Sequence, residues 1–350
     1  MKVLFLTPWY PSEKDAMSGL FVQKHVEAVR AQGIEVRVIH SQGWSDTWQQ
    51  WKALRREGWM PEVVQLNVIQ KQGALALWLK QRYHIPYLII EHWSGYLPEN
   101  GQFMRMSAFK RKLYERIAAE AETVLTVSEP LQRAMQQCGL KAKKWGTVDN
   151  VVEEIFGHSA VSIQPSAVSR QPSDKKILLH VSCFDERAKN VKGLLRAAKM
   201  LSEKRQDWRL VLVGTGVDYK EVRAYAKALE IPEDLLHWTG ELSPQEVAER
   251  MHQADALVLS SRYETYGVVL AEAFVAGLPI LSTPVGIAED LGALIVSQEI
   301  AQHKAGTFAE FIETVLWSTE HRTQNTDRFT KEAVGKQLKE IYDSCLHRDI

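Results

Sequence analysis

Short apolar runs and amphipathic stretches alternate along most of this chain, and that alternation sets the expected fold. Val3 to Thr7, Glu35 to Ile39, Glu62 to Leu66, Tyr87 to Ile90 and Thr123 to Val127 are aliphatic or β-branched runs of strand length. Between them, Leu20 to Ala31, Ala74 to Arg82 and Pro130 to Gln137 carry helical patterns, the first closed by Gly33. Near-continuous apolar strands interleaved with helices predict βαβ units and a parallel sheet covered on both faces.

The pattern lapses from Gly157 to Ser173, a Ser- and Pro-rich stretch with neither period. A second alternating series follows. Its strands are Ile177 to Ser182, Arg209 to Val213, Leu236 to Thr239, Ala256 to Leu259 and Pro279 to Ser282. Its helices are Val191 to Ser202, Tyr219 to Leu229, Pro244 to Ala254 and Val268 to Ala276. The expected organisation is α/β throughout: a Rossmann-like domain over 1–156, a linker over 157–174 and a second Rossmann-like domain over 175–327. A last helix, within 328–350, is expected to pack back on the first domain. Two such domains in series place ligands in a cleft, at the carboxyl ends of both sheets.

Composition narrows the function classes. Of 350 residues, 45% are hydrophobic and 25% charged, as in a soluble globular protein. Lys plus Arg and Asp plus Glu both number 43, so no net field favours a nucleic acid. Cys138, Cys183 and Cys345 lie far apart and have no metal-ligand spacing, which points to a reducing compartment without a structural metal. The opening apolar run is broken by Pro8 and Pro11 and is too short for a signal peptide. A cytoplasmic location is therefore expected.

The most informative stretch is Ser260 to Gly277, SSRYETYGVVLAEAFVAG. It follows a strand, and Gly267 opens a helix whose first N–H groups suit a phosphate or a sugar oxygen. Glu264 lies in the loop and Glu272 on the helix between Ala271 and Ala273. Carboxylates only accept hydrogen bonds, and the diol edges of a sugar and a ribose offer two. From spacing alone, a binding pair and two solvent-facing acids remain equally open.

This stretch resembles the donor-site signature of glycosyltransferase family 4, the retaining family with the GT-B fold. Its hallmark is two glutamates separated by seven residues. The resemblance implies that Glu264 lies beside the transferred sugar and Glu272 holds the ribose, with backbone at Tyr266, Gly267 and Val268 contacting sugar and phosphate oxygens. Other segments match in the same order over nearly the whole chain. His180 to Leu195 is similar to the strand-to-helix turn that binds the donor diphosphate, with Lys189 as the family lysine. Where the family usually has an arginine shortly after the strand, this chain has Ser182 and Cys183, and Arg187 is the candidate second cation. Gly214, in a Gly-Thr-Gly turn, would line the nucleotide side, and Thr239 the base. In the first domain, Gly19 would approach a phosphate and His92 would sit near the transferred sugar. Asn67 and Ala288 depart from common family residues, His and Pro respectively.

The implied activity is transfer of a hexose-type sugar from a nucleotide-diphosphate donor to a glycan or lipid-linked acceptor. No metal or other cofactor is expected, because no aspartate pair of the metal-binding kind occurs. The basic amphipathic stretch Phe103 to Arg116 fits either a solvated helix face or weak peripheral contact at the inner membrane face. Two rivals stand beside this reading. A nicotinamide-dependent oxidoreductase would need a third glycine where Tyr219 stands and an acid about 20 residues on. A non-catalytic relative would bind the sugar nucleotide without turning it over.

Overall fold

A computed structural model describes residues 1–13, 15, 18–157, 175–318 and 325–346. Most of the expected linker thus lies outside the described residues. The chain divides into two compact units, one of Met1–Val151 with Asp327–Ile350 and one of Val152–Thr326.

In the first unit the elements run β1 (Lys2–Thr7), α1 (Leu20–Ala31), β2 (Glu35–His40), α2 (Trp44–Arg56), β3 (Val63–Asn67) and α3 (Gly73–Tyr83). They continue with β4 (Tyr87–Glu91), α4 (Ala108–Glu120), β5 (Thr123–Thr126), α5 (Glu129–Gln137) and β6 (Trp145–Thr147). The strands form one sheet in the order β2-β1-β3-β4-β5-β6, every pair parallel. Strands β3, β4 and β5 are buried at every residue, which is why they lack the apolar–polar alternation of a half-exposed strand. Ser128 caps α5 by accepting from the Leu131 amide at 3.3 Å.

The second unit begins with a short 3-10 turn, Glu154–Phe156, whose Ile155 carbonyl lies 3.4 Å from His252 Nε2. Then come β7 (Lys176–Val181), α6 (Glu186–Lys189), α7 (Val191–Lys204), β8 (Trp208–Val213), α8 (Tyr219–Ala228) and β9 (Leu236–Gly240). The unit is completed by α9 (Pro244–Gln253), β10 (Ala256–Leu259), α10 (Val268–Val275), β11 (Ile280–Ser282), β12 (Leu294–Ile295), α11 (Gln298–His303) and α12 (Ala305–Leu316). Its sheet is again parallel, in the order β12-β11-β10-β7-β8-β9. Leu194, Leu195, Leu201, Trp208, Phe308 and Ile312 belong to its core.

After the second unit the chain returns to the first as α13 (Lys331–Leu346) and packs on α1. The two helices approach closely: a Cβ on Gly335 would lie 2.4 Å from the Ala28 carbonyl oxygen. Tyr342 donates its hydroxyl proton to Gln65 Oε1 on β3, and Arg328 makes a two-pronged ion pair with Asp149. Among the described residues no helix is long and apolar enough to cross a membrane.

Both sheets reverse their strand order beside the first strand of the unit. In the first unit the reversal falls between β1 and β3, and in the second between β7 and β10. At such switch points neighbouring loops run off in opposite directions and leave a crevice at the carboxyl edge, where α/β sheets bind ligands.

Candidate functional site

In the second unit the loops after β7 and β10 meet at this switch point. Glu264, from the loop after β10, accepts on Oε1 from Lys189 Nζ at 2.5 Å and from Ser261 Oγ at 2.7 Å. Both charged side chains retain 15% of their exposure. Burial works against the Lys189 ammonium, but the Glu264 carboxylate more than offsets it, so the lysine pKa lies above its ordinary value. Lys189 therefore stays a cation at neutral pH, held at the edge of a loop that precedes a helix N-terminus.

The backbone that presents this pair is locked by polar side chains. Asn190 is fully buried with φ +50° and separates α6 from α7; its Nδ2 donates to the Ala301 carbonyl at 3.2 Å. Arg262 reaches across to the same turn, donating to Asn190 Oδ1 at 3.1 Å and to the Glu186 carbonyl. The Arg262 amide donates to the Ala188 carbonyl at 2.7 Å. Ser260 Oγ donates to the Lys189 carbonyl at 3.0 Å. Four residues missed in the sequence reading, Asn190, Ser260, Ser261 and Arg262, thus hold Lys189 against Glu264. The one signal available was their position, since three of them lie within four residues of Glu264.

The other residues predicted for the donor site lie on α6, β9 and α10 and in the loops after β8 and β10. Gly267 has φ +81° and is the N-cap of α10, so Val268 opens the helix where the first amides lack intrahelical acceptors. Tyr266 is buried, and its carbonyl accepts from the Ile287 amide at 3.0 Å. Glu272 is half-buried on α10 between buried Ala271 and Ala273. Arg187 is exposed on α6, while Lys192 is engaged by Glu221. Gly214, φ +117°, lies so close to the loop after β7 that a Cβ would stand 2.0 Å from the Ser182 carbonyl oxygen. The close approach it permits is to this loop's own backbone. The Gly214 amide donates to the Gly240 carbonyl at 2.7 Å, and Thr239 Oγ1 donates to that carbonyl at 2.9 Å. His180, at the end of β7, is fully buried between the Val258 carbonyl and Ser182 Oγ, and burial lowers its pKa to about 4.

In the first unit Gly19 and His92 come together through α1. Gly19 is the N-cap of α1 at φ +68°, and a Cβ on it would stand 2.4 Å from Trp9 C and O. Two residues on, the Phe21 ring packs 4.3 Å from that of His92. His92 is 8% exposed, and burial, with His25 6.0 Å away ring to ring, lowers its pKa well below the ordinary value. It is a neutral imidazole at pH 7, able to donate or accept a hydrogen bond but not to supply charge.

Two family models match this chain and between them cover most of it. "Glycosyl transferase 4-like domain" matches residues 6–150, and "Glycosyl transferases group 1" matches residues 162–331. The chain belongs to the group 1 glycosyltransferases. Among curated relatives, N-acetyl-alpha-D-glucosaminyl L-malate synthase of Bacillus anthracis is 30% identical over 168 residues. That alignment covers 48% of this chain and 42% of the relative, so the chain matches less than half of that protein's length. Solved structures extend the likeness of fold to the whole of this group 1 chain. Sucrose-phosphate synthase from Thermosynechococcus elongatus superposes with a TM-score of 0.76 at 18% identity, covering 98% of each chain. Anabaena HepE, solved with UDP and glucose, gives a TM-score of 0.71 at 18% identity over 98% of this chain and 100% of its own. The fold class is GT-B, with one Rossmann-like parallel sheet of six strands in each unit.

Proposed function

We propose that this chain is a retaining glycosyltransferase that moves a hexose from a nucleotide-diphosphate sugar to a glycan or lipid-linked acceptor. The observation that carries the reading is the Lys189–Ser261–Glu264 arrangement at the switch point of the second sheet, beside the N-terminus of α10. A leaving nucleotide diphosphate gains negative charge, and Lys189 with the first amides of α10 supplies fixed positive potential without reorganisation. Arg187 is the candidate second cation in place of the arginine absent at Ser182 and Cys183. Glu264 turns one oxygen to Lys189 and Ser261 and has acceptor capacity left for a sugar hydroxyl. Glu272 takes the ribose hydroxyls, Thr239 lies toward the base, and Gly19 and His92 act from the first unit on the donor phosphate and the transferred sugar. That a structural neighbour was solved with UDP and glucose supports a UDP-sugar among the candidate donors. No metal is required where a lysine and a helix end stabilise the leaving group.

A cytoplasmic protein with weak peripheral contact at the inner membrane face fits the first unit. On and beside α4, Phe109 is 82% exposed and Met104 57%, next to Arg105, Lys110 and Lys112, themselves exposed.

The test is nucleotide release from UDP-, GDP- and ADP-hexoses, followed with and without EDTA. One base is expected to support release in EDTA, and Glu264→Gln is expected to slow it by roughly 10²-fold or more. The nucleotide itself should still raise the melting temperature of that variant. Release at wild-type rate in Glu264→Gln, or no release from any donor, would overturn the reading.

A further inference from the structure

Two loops at the carboxyl edge of the first sheet are tied to one side chain. Glu91 ends β4 and is fully buried. Its Oε2 accepts from the Ile69 amide, beyond β3, at 3.0 Å, and the Tyr96 hydroxyl lies 3.5 Å from the same oxygen. Its Oε1 accepts from the His92 and Trp93 amides, each at 2.9 Å. The residue before Ile69 is Val68, a β-branched residue at φ +68°, whose amide donates to the Ile90 carbonyl at 2.9 Å. The chain thus leaves β3 through a left-handed turn that valine rarely adopts, and the far side of the turn is fastened to Glu91.

We infer that Glu91 is a positioning residue, whose carboxylate clamps the strained Val68 turn to the loop after β4 and fixes the backbone that carries His92. The inference rests on the role given to His92 above, and it adds a state requirement. An ionised carboxylate is acceptor-only and suits three amide donors, whereas the neutral acid carries an O–H on one oxygen and accepts more weakly there. Burial pushes the Glu91 pKa up to about 7, against the amide and Tyr96 bonds that favour the anion. The titratable groups around the clamp are Tyr96 in its own loop, Tyr114 on α4, Cys138 at the end of α5, His92 beside it and His25 on α1. Burial raises the first three and lowers the two histidines, so all five are uncharged near neutrality. Glu91 is the member of this group that changes charge there, and the backbone geometry of both loops follows its ionisation.

The experiment follows the amide resonances of Ile69, His92 and Trp93 in the full-length ¹⁵N-labelled protein from about pH 5.5 to 8.5. All three are expected to titrate with one common midpoint near neutrality in the wild type, and none in Glu91→Gln. Flat shifts in the wild type, or three unrelated midpoints, would overturn the clamp without recourse to any variant. In transfer assays Glu91→Gln should lower kcat about tenfold with little change in donor KM, and should flatten the pH profile across neutrality. A wild-type kcat and pH profile in that variant would remove the positioning role. Val68→Gly should restore more stability in the Glu91→Gln background than it adds to the wild type; equal gains would separate the strained turn from Glu91. If the wild type transfers no sugar, the amide titration still decides the clamp, and the proposed reaction alone fails.

Discussion

Lys189 and Glu264 stand 75 residues apart in sequence and share a hydrogen bond of 2.5 Å. The contact exists because β7 and β10 are neighbours in the sheet, so the loops that follow them end side by side. Each partner is also held by something else: Glu264 by the Ser261 hydroxyl, and the Lys189 backbone by Ser260. A side chain restrained twice over costs little to hold in position during a reaction.

Ser261→Ala removes one of the two donors on Glu264 Oε1. The expected loss of stability is about 1 kcal/mol, while sugar transfer falls roughly tenfold because the carboxylate gains freedom. Lys189→Met should cost roughly 10²–10³-fold in transfer if Lys189 is the cation proposed to face the leaving group. Paired rate measurements and urea unfolding separate the two effects; equal stability losses with unchanged rates would place both residues outside the chemistry.

Arg262 meets the α6–α7 turn at three residues, Glu186, Ala188 and Asn190, and faces the protein in each contact. Arg262→Ala should loosen the α6–α7 turn and raise donor KM about tenfold, with a smaller effect on kcat. Steady-state kinetics at saturating and limiting donor checks this. A drop in kcat alone would mean that the guanidinium meets the reacting groups directly.

Gly19→Ala combines a left-handed φ with a Cβ that would stand 2.4 Å from Trp9 C and O. Backbone cannot yield there as a flexible side chain would, so the expected cost is about 2 kcal/mol or more. Urea unfolding monitored by tryptophan fluorescence reads it, and an unchanged midpoint would show that the Trp9–Tyr10 loop shifts freely.

Stability should depend on pH with two opposing slopes. Glu91 has its pKa raised from 4.5 to about 7, so between those values the folded chain keeps a proton that the unfolded chain has lost. Its contribution therefore makes stability fall as pH rises through that window. His25 and His180 are lowered from 6.5 to about 4, so each costs stability as pH falls from 6.5 toward 4. His92 adds in the same sense. The three histidines together outweigh Glu91 over most of this range, so the urea midpoint should rise from acid pH and level off between about pH 7 and 7.5, where the unfolded histidines and the folded Glu91 lose their last protons together. In Glu91→Gln the rise in stability between about pH 5 and 6.5 should steepen by about 1.4 kcal/mol per pH unit; an unchanged slope would assign the opposing contribution to another group.

The elements with long apolar runs were legible in sequence because strands buried on both faces leave an unbroken signature, as in β1, β4 and β10. Weakly patterned elements were not: β6, β12 and the four-residue α6 are too short to show a period. Within the site, Lys189 and Glu264 could be picked out because charged residues beside strand ends invite a question. Asn190 and Arg262 could not. A buried asparagine in a left-handed turn and an arginine that faces backbone carbonyls look like ordinary loop residues until the turn they hold is seen. Glu91 was hidden for the opposite reason, since an acid closing an apolar strand reads as the strand's solvent end. Its burial depends on amides from two loops that sequence order keeps 22 residues apart.

The closure of the first unit by α13 also orders events during synthesis. Residues 152–326 form the second unit and leave the ribosome before α13 does, so the second sheet can be complete while the first still lacks a helix. Through that interval the face of α1 around Ala28, which Gly335 later covers, stands open, and Gln65 waits for Tyr342. A growing chain thus passes through a stage in which one sheet is finished and the other still lacks its covering helix.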